Sequence, residues 1–384
     1  MRFSMSGWIC VLAAGLVAGC IDRYSPKVKP SAAAQLVVNG YLDPVTGAAT
    51  ITLSGTQSVY TETPGDSVRG ATVNIVPESG TGWTLTETKA GVYQLNGAQV
   101  SATTAYKLVV ETSDGERYES AGVTPRVATP IDSVKWERDD FNEGFVINVF
   151  AHGATRDDMY YRWEYVETWQ YHSAFQSQLV YNPTTQQLDL RSDNIYDCYH
   201  TFPGHDILLA DTRQSATNVV PGHKLLFIPE KSPKILVRYS MLVRQFSVSK
   251  EEYAFWQLMK NNTENLGTLF DPLPGQVIGN IRCITSSDKQ AIGFFSVQHP
   301  TEKRMFIDGK SVPHRLDADT GYQKCVGDTL RLIDFNTNFH GLSEVYLFVQ
   351  PLYRMGFIYA YLYSTKSCVD CRLHGGTLQQ PDFW

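Results

Sequence analysis

Residues 35 to 123 form a series of short alternating segments cut by turn residues, and that rhythm constrains the fold more than anything else in the chain. Alternation puts every second side chain on one face, which suits a half-buried strand and not a helix. Strands are predicted at 35–41, 49–53, 72–76, 84–87, 92–95, 106–111 and 117–121. Asp114-Gly115, between the last two, tolerates the positive φ angles of a tight hairpin turn. Seven short strands in this length predict a β-sandwich of immunoglobulin or transthyretin type. The cysteine pair of an antibody domain is absent from the segment.

A second strand series is predicted from Ile131. Residues 145–150 alternate cleanly, and 160–171 form a long aromatic and acidic strand. The polar stretch 182–202 is expected to be an irregular loop. Residues 225–228 and 235–247 resume strand character, the latter with Val237, Tyr239, Met241, Val243 and Gln245 on one face. Ser249 and Glu252 are spaced as a capping box, which satisfies two otherwise unpaired helix amides. One short helix is therefore expected, with Tyr253, Trp256, Leu258 and Met259 as its apolar stripe and Asn261-Asn262 at its end. Further strands are predicted at 276–283, 292–297, 305–308, 329–333, 345–350 and 358–363. The fold class is thus mainly β: an N-terminal sandwich (35–125), a larger β-rich body (131–367), and a cysteine-containing tail (368–384).

The first residues address the chain. Arg2 precedes an uncharged apolar run, 7–17, and then Val17-Ala18-Gly19-Cys20. That run is shorter than the ~20 residues a membrane span needs. Small residues before a cysteine have the form of a lipoprotein signal, so cleavage after residue 19 and lipidation of Cys20 are expected. Residues 20–34 read as a tether. Removing the signal removes only Arg2, so the mature charge is 32 − 39 = −7 against −6 for the whole chain. A nucleic-acid partner would call for a basic surplus, and none is expected.

An exported chain permits disulfides. Cys198, Cys283, Cys325, Cys368 and Cys371 remain after Cys10 and Cys20, an odd number allowing at most two internal bridges. Cys368 and Cys371 have redox-motif spacing, but they follow strands instead of opening a helix, where a thiolate would be stabilised. With His374 they make three soft ligands, one short of a structural zinc site. Bridges from the tail to Cys198, Cys283 or Cys325 are the preferred reading, with the pairing open. His200 and His205, with Asp197 and Asp206, sketch a metal site that reads better as a polar loop. Glu164 and Glu167 fall on opposite strand faces and cannot act together. No nucleophile elbow, zinc-protease helix, phosphate loop or dinucleotide fingerprint occurs. No metal, cofactor or enzymatic activity is expected.

Several stretches together resemble a known family. They are Tyr161-Arg162-Trp163-Glu164-Tyr165-Val166-Glu167-Thr168-Trp169, Arg238-Tyr239-Ser240 through the helical stretch Ser249 to Trp256, and Asn262-Thr263-Glu264-Asn265-Leu266-Gly267. Phe270-Asp271-Pro272, Gly279-Asn280-Ile281-Arg282-Cys283, Cys368 through Gly376 and Pro381-Asp382-Phe383-Trp384 complete the set. The sequence resembles the domain-of-unknown-function 4249 family of Bacteroidota outer-membrane lipoproteins across nearly the whole mature chain. The resemblance implies an N-terminal sandwich before a larger β body, and partnership with a TonB-dependent β-barrel transporter. It carries no catalytic residues.

The expectation is therefore a non-enzymatic outer-membrane lipoprotein, an accessory or ligand-capturing subunit of such a transporter. It would be held through Cys20, with the cell-surface side favoured over the periplasmic side. Trp163, Tyr165, Trp169 and Trp256 are candidate interface anchors, because aromatics dominate interface energies, with core packing as the alternative for each. A carbohydrate-binding surface adhesin is the second reading, and a hydrolase using dispersed carboxylates the third.

Overall fold

In the computed structural model the described residues are 35–56, 65–153, 159–215, 217–264, 277, 279–312, 318–334 and 344–384. Cys20, the signal and the tether lie outside them.

Six of the seven predicted strands of the first segment form as expected; the one at 84–87 breaks at Leu85 into Trp83–Thr84 and Thr86–Lys89, which join different sheets. Ala49–Gly55 is buried at every second residue through Ala49, Ile51 and Leu53, so its alternation is the burial pattern itself. Gly115 adopts φ 87°, and the flanking strands Tyr106–Glu111 and Arg117–Ser120 pair antiparallel around it. Two sheets share one core. One runs Thr86–Lys89, Val92–Leu95, Ala49–Gly55, Leu36–Leu42, Ser296–His299, Arg126–Val127, with Ala291–Gly293 also on Leu36–Leu42. The other runs Ile281–Cys283, Arg117–Ser120, Tyr106–Glu111, Thr72–Pro77, Trp83–Thr84. Leu36, Val38 and Ile51 from the first meet Val73, Ile75 and Leu108 from the second.

Three strands of this sandwich thus come from residues 281–299, beyond the boundary expected at 125. Leu36–Leu42 pairs in parallel with Ala291–Gly293 and Ser296–His299. Local patterning cannot reveal such a pairing, because nothing in a strand's own alternation names its partner.

The body is a second sandwich. Its larger sheet is ordered Asp197–Pro203, Tyr160–His172, Arg238–Ser247, Thr301–Asp308, with Leu208–Asp211 also on the long strand. Ile131–Asp139, Gly144–His152 and Val219–Pro229 form the sheet that supplies the other side of the core. Of the five residues predicted to share a face, Tyr239, Met241, Val243 and Gln245 are fully buried, whereas Val237 precedes the strand and is half-buried. Residues 296–308 join the two sandwiches: Ser296–His299 completes the first and Thr301–Asp308 the second. Within the first sandwich His299 Nδ1 holds the Asp43 carboxylate at 3.0 Å, and across the junction Tyr41 meets Phe246 edge-on at 5.6 Å.

The stretch expected to be an irregular loop, 182–202, instead contains the strands Gln187–Leu190 and Asp197–Pro203. Both are edge elements whose burial does not alternate: Cys198 and Tyr199 are buried side by side while Leu190 and Phe202 are exposed, so neither shows a strand's period of two. The helix runs Lys250–Glu264, past Asn261-Asn262. Ser249 Oγ accepts the Glu252 amide at 3.1 Å as a cap should. The Glu252 carboxylate makes no reciprocal bond; it turns inward and accepts from Trp256 Nε1 at 3.3 Å. A small three-stranded sheet, Asp328–Arg331, Phe357–Thr365 and Tyr346–Arg354, packs on the hairpin Leu179–Asn182/Gln187–Leu190.

Candidate functional site

One face of the strand Tyr160–His172 runs from core to cleft. Trp163 and Tyr165 are buried in the body core, with Trp163 Nε1 donating to Gln245 Oε1 at 2.9 Å and the Tyr165 hydroxyl to Asp206 at 2.9 Å. Glu167 follows, buried yet paired: both its oxygens lie 2.9 Å from Lys234 Nζ, and Oε2 also accepts from the Tyr239 hydroxyl at 2.9 Å. Two donors around the carboxylate offset the cost of removing a charge from water. Burial, and then the Glu167 charge, push the Tyr239 phenol far up, so it stays a donor.

Beyond Glu167 the same face opens. Trp169 and Tyr171 line a cleft of about 830 Å³ together with His172, His200, Leu236, Lys310, Tyr322 and His374. The rings hold one another. His200 stacks on Trp169 at 5.0 Å, the Lys234 ammonium sits 4.9 Å over the same ring, and His374 leans on Tyr322 at 4.4 Å. His172 stacks on Tyr196 at 4.6 Å and its Nδ1 lies 2.7 Å from Asp197, an ion-pair contact poorly aligned for a hydrogen bond. The Tyr322 hydroxyl is buried without a hydrogen-bond partner among the described residues, and burial raises its pKa. Asp319 at the rim is the carboxylate among the described lining residues.

The tail builds one wall. Cys371 is bonded to Cys198 and Cys368 to Cys325. Those bridges fix three lining residues by their neighbours: His200 two positions after Cys198, His374 three after Cys371, and Tyr322 three before Cys325. Tyr171 donates to the Cys371 carbonyl at 2.8 Å, and a side chain at Gly376 would collide with the Tyr171 hydroxyl. The tail continues to Trp384, whose ring lies under the Arg238 guanidinium at 5.2 Å, while Arg304 covers Phe383 at 3.4 Å.

The structure therefore divides the expected site residues. Of the two readings open for Trp163 and Tyr165, interface anchor or core packing, the structure gives core packing, because the second sheet of the body covers that part of the strand. Trp256 packs against the Arg162 guanidinium at 4.7 Å, which also covers Phe246 at 4.3 Å. Trp169 alone of the four lines the cleft. Cys283 is a free, half-buried thiol 3.5 Å from the Glu116 carboxylate. Tyr171, His172 and Tyr322 were not picked out from sequence. Their signal was adjacency, two to the aromatic strand and one to Cys325, and adjacency does not say which side chains converge.

A family model described as domain of unknown function (DUF4249) matches residues 21–304, and the chain belongs to that family. The match ends before the tail, so Cys368 through Gly376, the most specific part of the resemblance, lies outside it. No curated protein matches the sequence. Among solved structures, the adhesin InvE of Yersinia pseudotuberculosis aligns at 17% identity and a TM-score of 0.15, over 55% of this chain and 54% of that one. The chain thus spans about half the length of that structure, and a likeness this slight supports no functional argument.

Proposed function

We propose that the protein is a non-enzymatic, lipid-anchored outer-membrane binding protein. It captures a ligand in the aromatic cleft and serves as an accessory subunit to an integral β-barrel transporter of the TonB-dependent kind. The cleft carries this reading. It is concave, mostly apolar and dotted with a few polar groups, with Trp169, Tyr171 and His200 held on strands and the opposite wall stapled by disulfides, which is how small-molecule sites are built. Cys20 and its signal support the anchor, and the family resemblance supports the transporter.

The alternatives draw less support from the same geometry. A glycan-binding adhesin needs open ring faces, and Trp169 already carries His200 and Lys234 against its ring. A hydrolase needs two carboxylates at the cleft, where Asp319 stands without a second among the described lining residues. The deciding experiment is purification from gently solubilised membranes through a tag inserted in the exposed turn 183–186. A tag at the C-terminus would disturb Trp384. Co-purification of an integral β-barrel with an acylated chain is expected, and recovery of monomer alone would overturn the transporter role.

A further inference from the structure

The hairpin formed by Tyr346–Arg354 and Phe357–Thr365 ends in an exposed apolar tip. Tyr353 is 63% exposed, Met355 91%, Phe357 79% and Tyr359 46%. Arg354 pairs with Phe357, so Met355-Gly356 is a two-residue turn, and both residues have positive φ, 51° and 84°. Such turns select Asn-Gly, because a bulkier side chain at positive φ costs roughly 1–2 kcal/mol. Neither turn geometry nor core packing therefore calls for methionine here.

Charge identifies what the tip meets. From residue 345 to 369 there is no Asp or Glu, only Arg354 and Lys366, in a chain of net charge −6. Another hairpin tip exposes Phe141 at 93%, but Asp139, Asp140 and Glu143 surround it, as befits a tip facing water. Alternate residues Tyr363, Tyr361, Tyr359 and Phe357 form one aromatic row. It runs from rings packed against the small core to rings in solvent. Apolar residues outermost, tyrosines behind them and a cation alongside is the order in which side chains partition across a membrane interface. A protruding wedge fits a fluid surface better than a flat protein face.

We propose that the tip, Tyr353 to Tyr359, inserts into the interfacial layer of a lipid bilayer as a second contact beside the anchor. Two residues of strand and the turn reach about 5–10 Å, the depth of interfacial anchors. The proposal rests on the lipid-anchored reading for its nearness to a membrane: residues 21–34 span at most ~45–50 Å between Cys20 and Gln35.

The test uses the full chain reconstituted in vesicles of phosphatidylethanolamine and phosphatidylglycerol. The mass of the N-terminal peptide reports acylation separately, so a failed anchor and a failed tip are told apart. A membrane-impermeant oxidant should convert Met355 to the sulfoxide about tenfold more slowly in the wild type than in a Phe357→Asp/Tyr359→Asp variant. Equal rates on acylated protein would overturn the insertion. In Met355→Trp, lipids brominated on their acyl chains should quench the added emission. Protection of Met355 without that quenching would mean a protein contact and would equally overturn it. Retention of both disulfides by mass verifies that each variant has folded.

Discussion

Trp163 and Trp169 sit on the same face of the same strand and should respond differently to truncation. Trp163→Ala empties a buried site and removes the bond to Gln245, so it is expected to cost about 3–5 kcal/mol in chemical denaturation. Trp169→Ala should cost clearly less and instead release His200, read as the loss of its ring-shifted proton resonances. Glu252 offers a test in pH. Burial raises its carboxyl above the ordinary value of 4.5, although Arg162 opposes this. A raised folded pKa contributes stability that is complete below 4.5 and is lost as pH rises through the folded value. The stability difference between Glu252→Gln and wild type should therefore grow in favour of the variant as pH rises from 4 towards neutrality. A difference independent of pH would refute that assignment. At this scale the face of each residue was legible and its cover was not. Period two put Trp163, Tyr165 and Trp169 together, but which of them lay under the second sheet depended on residues 131–152.

The tail is the element that most changes meaning. From sequence it was a stretch with two cysteines; in the structure it is a wall of the cleft. Replacing both Cys198 and Cys371 by alanine opens a loop of sequence separation 173 and should cost about 2–4 kcal/mol. Limited proteolysis should then cut first after residue 371, and any ligand affinity should fall with it. The pairing was illegible because cysteines carry no address. The strands at 49–55 and 106–111 were legible because each buries alternate residues on one side. Those at 187–190 and 197–203 were missed because their burial does not alternate, with Cys198 and Tyr199 both buried and Leu190 and Phe202 both exposed. The helix start was read correctly from Ser249. The inward turn of Glu252 was not, since it depends on Trp256 and a buried site in which the carboxylate sits.

For the whole molecule, the decisive fact is that the first sandwich is discontinuous in sequence. A fragment of residues 35–130 contains every strand that patterning assigns to it, yet it lacks Ile281–Cys283, Ala291–Gly293 and Ser296–His299. It should show broad, poorly dispersed proton resonances and rapid amide exchange. Adding residues 277–312 in trans should sharpen them. The family match, 21–304, takes in the closing strands. The same topology sets an order in time. A chain synthesised from its N-terminus delivers Leu36–Leu42 first and its parallel partners about 250 residues later. At synthesis rates of roughly 5–20 residues per second, that edge stands open for on the order of ten seconds or more. An open edge strand is a template for wrong pairing, so Leu36–Leu42 is exposed to misassembly until residues 291–299 arrive.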